Sequence, residues 1–271
     1  MPQLPAPHDL HGRVVVITRP VGAAAAVMRR VRAAGGRPLH VPGMALRAID
    51  DAQTRAALAA ALRAERVIFT SPASVRFAHA LQPLPADCPA IGVGQGTARA
   101  LERAGVRAPL APSRQDSEGV LALPALQALR GTPVALIGGE GGRGLLREAL
   151  AARGAELREV HVYRRVPPRL DRRHVDPLLH ALPADACVLL SSAEAIAHLR
   201  RQLPDEAWSA LCGITAVVSS ARLREVAREA GWTRLVLARS ALPADLVAAA
   251  IGAASRARDA GHGTGAASMR E

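Results

Sequence analysis

The sequence predicts an α/β protein made of two similar lobes with mostly parallel sheets. Three observations carry this. Strand-length β-branched runs alternate with Ala/Leu/Arg stretches of helical period, the signature of β-α units. The series occurs twice, at an offset of roughly 120 to 127 residues that is far longer than a solenoid period. Each copy also contains an extended stretch suited to crossing from one lobe to the other.

Taken in order, "VVVITRPVGAAAAVMRRVRAAGGRPLHV" opens the first copy and parallels "VALIGGEGGRGLLREALAARGAELREVHV", with Gly35 matching Gly154. Both read as a strand, a turn and a helix running into an extended stretch. Next, "VIFTSPASVRFAHAL" parallels "VLLSSAEAIAHL", again a strand running into a helix. Then "TARALERAGVRAPLAPS" parallels "LREVAREAGWTRLVLARS", with Gly105 matching Gly231 and Ser113 matching Ser240. Between these pieces lie "RPLHVPGMALRAID" and "AELREVHVYRRVPPRL", alternating or proline-containing stretches. If both are crossings, one lobe is discontinuous and the joint is a two-stranded ribbon. The expected division is residues 12–36 plus 171–252 for one lobe, 50–157 for the other, and 37–49 and 158–170 as hinge strands. Residues 253–271, rich in Gly, Ala, Ser and Arg, are expected to form a flexible tail.

Composition narrows the function classes. Hydrophobic residues at 49% and charged ones at 21% fit a soluble globular chain large enough for a proper core. The longest apolar runs, Val14 to Ile17 and Val134 to Ile137, are strand-length, so no membrane span is expected. The start "MPQLPAPHDLHGR" lacks an apolar signal core, and a cytoplasmic location is the expectation. Cys88, Cys187 and Cys212 stand far apart without Cys or His partners at ligand spacing, which argues against disulfides and a zinc site. They are read as ordinary buried thiols, and the histidines, His40 and His161 among them, likewise lack metal spacing.

Net charge is +12, and all 35 basic residues are arginine. A basic surface attracts polyanions, and arginine grips carboxylate or phosphate in a two-pronged fork. The arginines are scattered, however, and aromatics are only 2% of the chain, leaving few platforms for stacking bases. Arginine in place of lysine beside abundant alanine reads as a compositional habit. Nucleic acid is therefore not the expected partner, whereas an acidic small molecule is.

Gly139, Gly141 and Gly144 stand in G-x-G-x-x-G spacing between an apolar run and a helical pattern. Glu159 lies about where a ribose ligand is expected in a dinucleotide site. The matching turn in the first copy, "ITRPVGAAAA", has no such glycines, so the fingerprint occurs once. Three readings stay open: a nucleotide loop, a strand-to-helix turn whose N–H groups hold some other anion, and a tight turn without a ligand.

The pieces "ITRP", "VIFTSPASV", "AIGVGQGTARALERAGV", "SEGVLALPAL", "GGEGGRGLLREALAARGAEL" and "VHVYRRVPP" together resemble the uroporphyrinogen-III synthase family in order and spacing. The resemblance covers residues 13 to 168 closely and 187 to 251 more loosely. It implies two flavodoxin-like lobes joined by a β-ladder, no cofactor and no metal. It also implies closure of hydroxymethylbilane, a linear tetrapyrrole bearing acetate and propionate groups, with its last pyrrole inverted through a spiro intermediate. A monomer with a polycarboxylate tetrapyrrole as its small-molecule partner is expected, held in a cleft by backbone N–H groups and hydroxyls.

By that resemblance Tyr163, the one tyrosine of the chain, takes the catalytic position. A phenol is protonated at neutral pH and can donate to a departing hydroxyl; read alone, Tyr163 is an amphipathic residue on a ribbon edge. Thr70 and Ser71 precede Pro72 and suit a helix N-cap at a ligand-facing turn, and Ser191 with Glu194 reads as a capping box in the other copy. Gly94 and Thr97 belong to "GVGQGT", the threonine matching a family residue that opens onto the cleft. Where the family often repeats this turn, the chain has "VVSSARL", so Leu223 stands for the expected threonine and Ser219 or Ser220 is the substitute. The expected substrate-binding set is thus Arg19 as a carboxylate clamp, with Thr70, Ser71, Gly94, Thr97, Gly139, Ser191, Ser192 and Ser220. Two rivals remain: a two-lobed anion-binding protein without catalysis, and a nucleotide-dependent enzyme built on the 139–144 loop.

Overall fold

A computed structural model describes residues 9–114, 117–141 and 144–262. The β-branched runs become strands and the Ala/Leu/Arg stretches become helices. In chain order these are β1 (Val14–Ile17), α1 (Ala25–Ala33), β2 (Arg37–His40), β3 (Ala45–Ala48), α2 (Ala52–Ala61), β4 (Arg66–Phe69), α3 (Pro72–Leu81), β5 (Ala90–Gly92), α4 (Gln95–Arg103) and α5 (Ser117–Leu121). There follow β6 (Pro133–Gly139), α6 (Leu145–Ala152), β7 (Glu156–Val166), α7 (Arg172–His180), β8 (Cys187–Leu190), α8 (Ala193–Gln202), α9 (Asp205–Cys212), β9 (Thr215–Val218), α10 (Ala221–Glu229), β10 (Leu235–Leu237) and α11 (Pro243–His262). The chain divides into two compact units. Unit 1 comprises the residues up to Ala45 and those from Pro167 onward, and unit 2 comprises Leu46–Val166.

Unit 1 holds a five-stranded sheet in the order β10-β9-β8-β1-β2, with every neighbouring pair parallel. Successive strand residues face opposite sides. Val14 and Val16 accordingly join a cluster with Leu178, Ile196, Leu199 and Trp232 of the α7 to α10 side. Val15 and Ile17 join Val27, Val31 and Leu246 of α1 and α11 on the other. A strand covered on both faces must be apolar throughout, which is why this one reads "VVVI". Each such buried aliphatic side chain stabilises by about 1.5–3 kcal/mol. Trp232 is fully buried, and its indole N–H donates to the Leu211 carbonyl at 3.0 Å.

Unit 2 holds the second five-stranded sheet, ordered β3-β7-β6-β4-β5. The β7-β6, β6-β4 and β4-β5 pairs are parallel, and Leu110 adds a bridge to Ile91 beyond β5. Val67, Phe69, Ala135 and Ile137 pack on α2, α3 and α4, while Ile68, Val134 and Leu136 pack on α5 and α6. The fold is thus α/β with two parallel-dominated sheets, as the alternation of patterns predicts.

In unit 1 the strands, numbered by their appearance in that unit, lie as 2-1-3-4-5, the doubly wound order. In unit 2 the β6-α6-β7 piece fills the place that β1-α1-β2 fills in unit 1, although it comes after β4 and β5 in the chain. The opening piece of each sequence copy is therefore paired with the later strands of the other copy. The glycines matched in sequence also share a conformation: Gly35 and Gly154 have φ of +70° and +80°, and Gly105 and Gly231 have +90° and +114°. Each ends a helix in the left-handed region that glycine enters without a Cβ penalty.

Three boundaries differ from expectation. The stretch 37–49 is two short strands in different sheets, because Arg37–His40 pairs with Val14–Ile17 while Ala45–Ala48 lies beside β7. Strand β7 begins at Glu156 and ends at Val166, where prolines 167 and 168 remove ladder donors. Residues 253–262 continue helix α11, because alanine and arginine sustain a helix that their loop-like neighbours in the sequence obscure. The remaining part of the expected tail, 263–271, lies outside the described residues. Among the described residues no helix is long and apolar enough to cross a membrane.

Candidate functional site

In a doubly wound sheet, ligand-facing loops diverge at the C-terminal ends of the two strands where the winding reverses. In unit 2 those strands are β6 and β4, and their ends bring together Gly138, Gly139, Thr70 and Ser71. Thr70 sits so close that a Cβ on Gly138 would come within 2.8 Å of its hydroxyl. Ser71 caps α3 through a reciprocal box. Its hydroxyl accepts from Ser74 N at 3.1 Å while its own N–H donates to Ser74 Oγ at 3.2 Å, with Pro72 at the first helical position.

Tyr163 reaches this point from β7. Strand β6 shifts register between Gly138 and Gly139, so that Gly139 pairs with Tyr163, and such an irregularity re-aims a side chain. The phenol is 5% exposed and its ring stacks on Phe77 at 5.3 Å with a 25° tilt. Its Oη lies 3.3 Å from Ser71 Oγ. A Cβ on Gly139 would fall 2.5 Å from two ring carbons of the tyrosine. The loop after β6 is clamped from the same strand: Glu140 N donates to the Tyr163 carbonyl at 3.0 Å, and Arg165 Nη1 donates to the Glu140 carbonyl at 2.7 Å.

This geometry bears on the glycine loop. Gly139 is a glycine because the Tyr163 ring occupies the space of its side chain. Gly144 caps α6, and a Cβ there would lie 2.5 Å from the Glu148 carboxylate and 3.1 Å from the Arg147 guanidinium, so that an ion pair of this chain stands over the helix start. Glu159 pairs with Arg147 at 3.9 Å and His161 at 3.8 Å. Gly142 and Arg143 lie outside the described residues.

Gly94 caps α4 at the end of β5, on the same edge of the sheet. Thr97, expected to open onto a ligand, is 3% exposed and packs on Gly92, where a Cβ would meet Thr97 Cβ at 3.0 Å. Its position in the first turn of α4 turns it toward the strand.

Unit 1 reverses its winding between β1 and β8. Thr18 closes that point by donating to the Leu189 carbonyl at 2.8 Å. Arg19 follows. Burial pushes its guanidinium below the usual arginine range, its Nε is buried without a hydrogen-bond partner, and one Nη donates to the Ala241 carbonyl. No acidic side chain forms an ion pair with it among the described residues. Ser192, not Ser191, caps α8, accepting from Ala195 N at 3.3 Å, because the cap residue is the last one with extended backbone. Ser220 caps α10 by accepting from Leu223 N at 3.2 Å, and Leu223 itself is buried in the core.

Sequence reasoning missed Phe77 and Ser74, which shape the tyrosine pocket. Their spacing from Ser71 on one helix was visible, but what packs across from β7 was not. All three cysteines are free, and burial pushes the Cys187 thiol up to about 12 and those of Cys88 and Cys212 up to about 11. Among the described residues no cluster of three His, Cys, Asp or Glu side chains could hold a metal ion.

These features define a two-sheet α/β protein that presents hydroxyls, helix N-termini and one buried phenol at the C-terminal ends of its strands. The family described as Uroporphyrinogen-III synthase HemD matches residues 25–248. Uroporphyrinogen-III synthase of Salmonella typhimurium is 33% identical over 84% of this chain and 95% of its own, and that of Escherichia coli is 30% identical over the same shares. The crystal structure of uroporphyrinogen-III synthetase from Helicobacter pylori has the same fold, with a TM-score of 0.58 at 14% identity over 89% of this chain and 99% of that one. The chain belongs to the uroporphyrinogen-III synthase family.

Proposed function

We propose that this protein closes hydroxymethylbilane to uroporphyrinogen III with loss of water and inversion of the terminal pyrrole, and that Tyr163 assists departure of the substrate hydroxyl. The observation that carries the role of Tyr163 is its setting: a phenol held by ring stacking, a serine hydroxyl and a glycine strand end at the point where the sheet reverses. In the reaction the C–O bond of the hydroxymethyl group breaks and the oxygen leaves as water. The resulting electrophilic methylene bonds to the already substituted carbon of the terminal pyrrole, giving the spiro intermediate. The old bridge bond at that carbon breaks, the freed bridge methylene bonds to the pyrrole's unsubstituted carbon, and the proton lost there as the ring regains aromaticity restores the acid. No electrons are gained or lost overall, so positioned hydrogen-bond donors suffice and neither metal nor organic cofactor is invoked.

The substrate carboxylates are assigned to the strand-end groups. Arg19, partly buried and without an acidic partner among the described residues, serves one in unit 1, where Ser191, Ser192 and Ser220 stand at neighbouring strand ends. Thr70, Gly94 and the backbone beside Gly139 serve in unit 2, and Thr97 acts by seating α4 against β5. The same reading has a cytoplasmic monomer acting on a small polycarboxylate and not on nucleic acid. Spontaneous closure yields the uninverted type I ring. Incubation with hydroxymethylbilane followed by separation of the isomers should therefore show diversion to type III, and an unchanged isomer ratio at stoichiometric enzyme rejects the proposal.

A further inference from the structure

Ser71 does two jobs that ordinary cap chemistry would not combine. Its Oγ accepts the Ser74 N–H at 3.1 Å and stands 3.3 Å from Tyr163 Oη. The surrounding groups are already matched, since Ser74 Oγ donates to the Ser71 carbonyl at 2.7 Å and accepts the Ser71 N–H. The remaining hydroxyl proton of Ser71 therefore has the phenol oxygen as the acceptor the structure offers it. A phenol has one proton. If that proton pointed at Ser71 it would be spent inside the unit, whereas a proton donated by Ser71 to Oη leaves the phenol O–H free to point outward.

We infer that Ser71 is a positioning residue for Tyr163: its hydroxyl donates to Oη, orients the phenol proton toward the substrate hydroxyl and stabilises the oxygen as that proton leaves. This rests on the role proposed for Tyr163 and reassigns Ser71 from substrate contact to acting through the tyrosine. The balance is simple. The phenol proton goes to the departing oxygen, which leaves as water. Negative charge develops on Oη, where the Ser71 O–H shortens onto it, and the proton released on rearomatisation returns to Oη. Hydrogen bonds to developing charge are about twice as strong as neutral ones, so the serine contributes more in the transition state than at rest.

The test separates capping from donation. Ser71→Asp and Ser71→Thr both keep a good N-cap, but only Thr keeps an O–H, and a carboxylate would draw the phenol proton inward. The series Ser71→Asp, Ser71→Thr and Ser71→Ala is compared by denaturant midpoint, kcat and KM on hydroxymethylbilane, each in the parent and in a Tyr163→Phe background. Donation predicts that Ser71→Asp folds with a parent-like midpoint, keeps its KM and loses about 10- to 100-fold in kcat, the scale of one hydrogen bond to a developing charge. Ser71→Thr should restore kcat to within about threefold, while Ser71→Ala should lose both stability and rate. In the Tyr163→Phe background Ser71→Asp should cost nothing more, because residues acting as one unit are not additive. Parent-like kcat in a well-folded Ser71→Asp overturns the inference, as does an undiminished Asp effect without the phenol or a rate that merely follows the denaturant midpoint. A Tyr163→Phe enzyme at full rate instead rejects the role of Tyr163 itself, a result distinct from those three.

Discussion

A single methyl group at position 139 tests the link between the glycine strand end and the phenol. Gly139→Ala would put a Cβ 2.5 Å from Cε2 and Cζ of Tyr163, where carbon atoms prefer about 3.5–4.0 Å. The ring must retreat by about 1 Å. It is 5% exposed and stacked on Phe77, so the retreat compresses a packed contact and costs about 1–3 kcal/mol of stability. The same movement shifts Oη, which stands 3.3 Å from Ser71 Oγ. A misplacement of about 1 Å at a reacting group costs on the order of 10²-fold in rate. Urea unfolding and single-turnover formation of type III product measure the two effects, and equilibrium dialysis with dinucleotides asks whether the glycine serves a phosphate instead. Parent-like turnover in Gly139→Ala, with unchanged stability, would refute the reasoning. Loss of tight dinucleotide binding on substitution would return the loop to its phosphate reading.

Tyr163→Phe keeps the ring stack and should keep the fold, yet slow turnover by about 10- to 10⁴-fold, the range of one positioned donor, while some type III product survives; circular dichroism and single-turnover rates on the same preparation check both halves. Ser192→Ala should cost about 1 kcal/mol in chemical denaturation, whereas Ser191→Ala should cost under half of that, since only Ser192 caps α8. Hydrogen bonding from Thr54 holds the Asp51 carboxyl at the start of α2 below the usual carboxylate range. The stability it contributes is present above the unfolded value and is lost as pH falls through the depressed one, so Asp51→Asn, which still caps, should flatten the acid side of the stability profile. An unchanged acid limb in Asp51→Asn would show that the carboxylate is not a determinant there.

The parts of the fold legible in the sequence are those where local pattern and tertiary role coincide. "VVVI" and "VALI" are apolar at every position because both faces of their strands are covered, and the helix-ending glycines stand just past the helix end in both copies because the positive φ of that position requires it. The pattern fails where identity depends on what lies across space. Arg37–His40 looks like a crossing because it is only half-buried at the edge of its sheet, and nothing local says that it pairs with Val14–Ile17. Two adjacent serines give no sign of which is the cap until the backbone turns at Ser192. The glycine spacing at 139–144 imitates a phosphate loop because both uses demand a residue without a side chain; in one the space is taken by a ligand, and at Gly139 it is taken by a tyrosine. Tyr163 itself is conspicuous as the single tyrosine, but its setting is assembled from β4, α3, β6 and β7, four elements with no shared sequence signal.

The exchange of opening pieces between the two sheets also dictates a timetable for the nascent chain. Every strand of unit 2 lies at or before Val166, so its sheet can close while the rest of unit 1 is still being synthesised. Strand β1 precedes its second neighbour β8 by most of the chain: the bond from Thr18 to the Leu189 carbonyl spans 171 residues. At about 5–20 residues per second that is a wait on the order of 10 to 30 s. Throughout it "VVVI" has β2 on one side and a bare row of N–H and C=O groups on the other, open to any strand or chaperone that meets it.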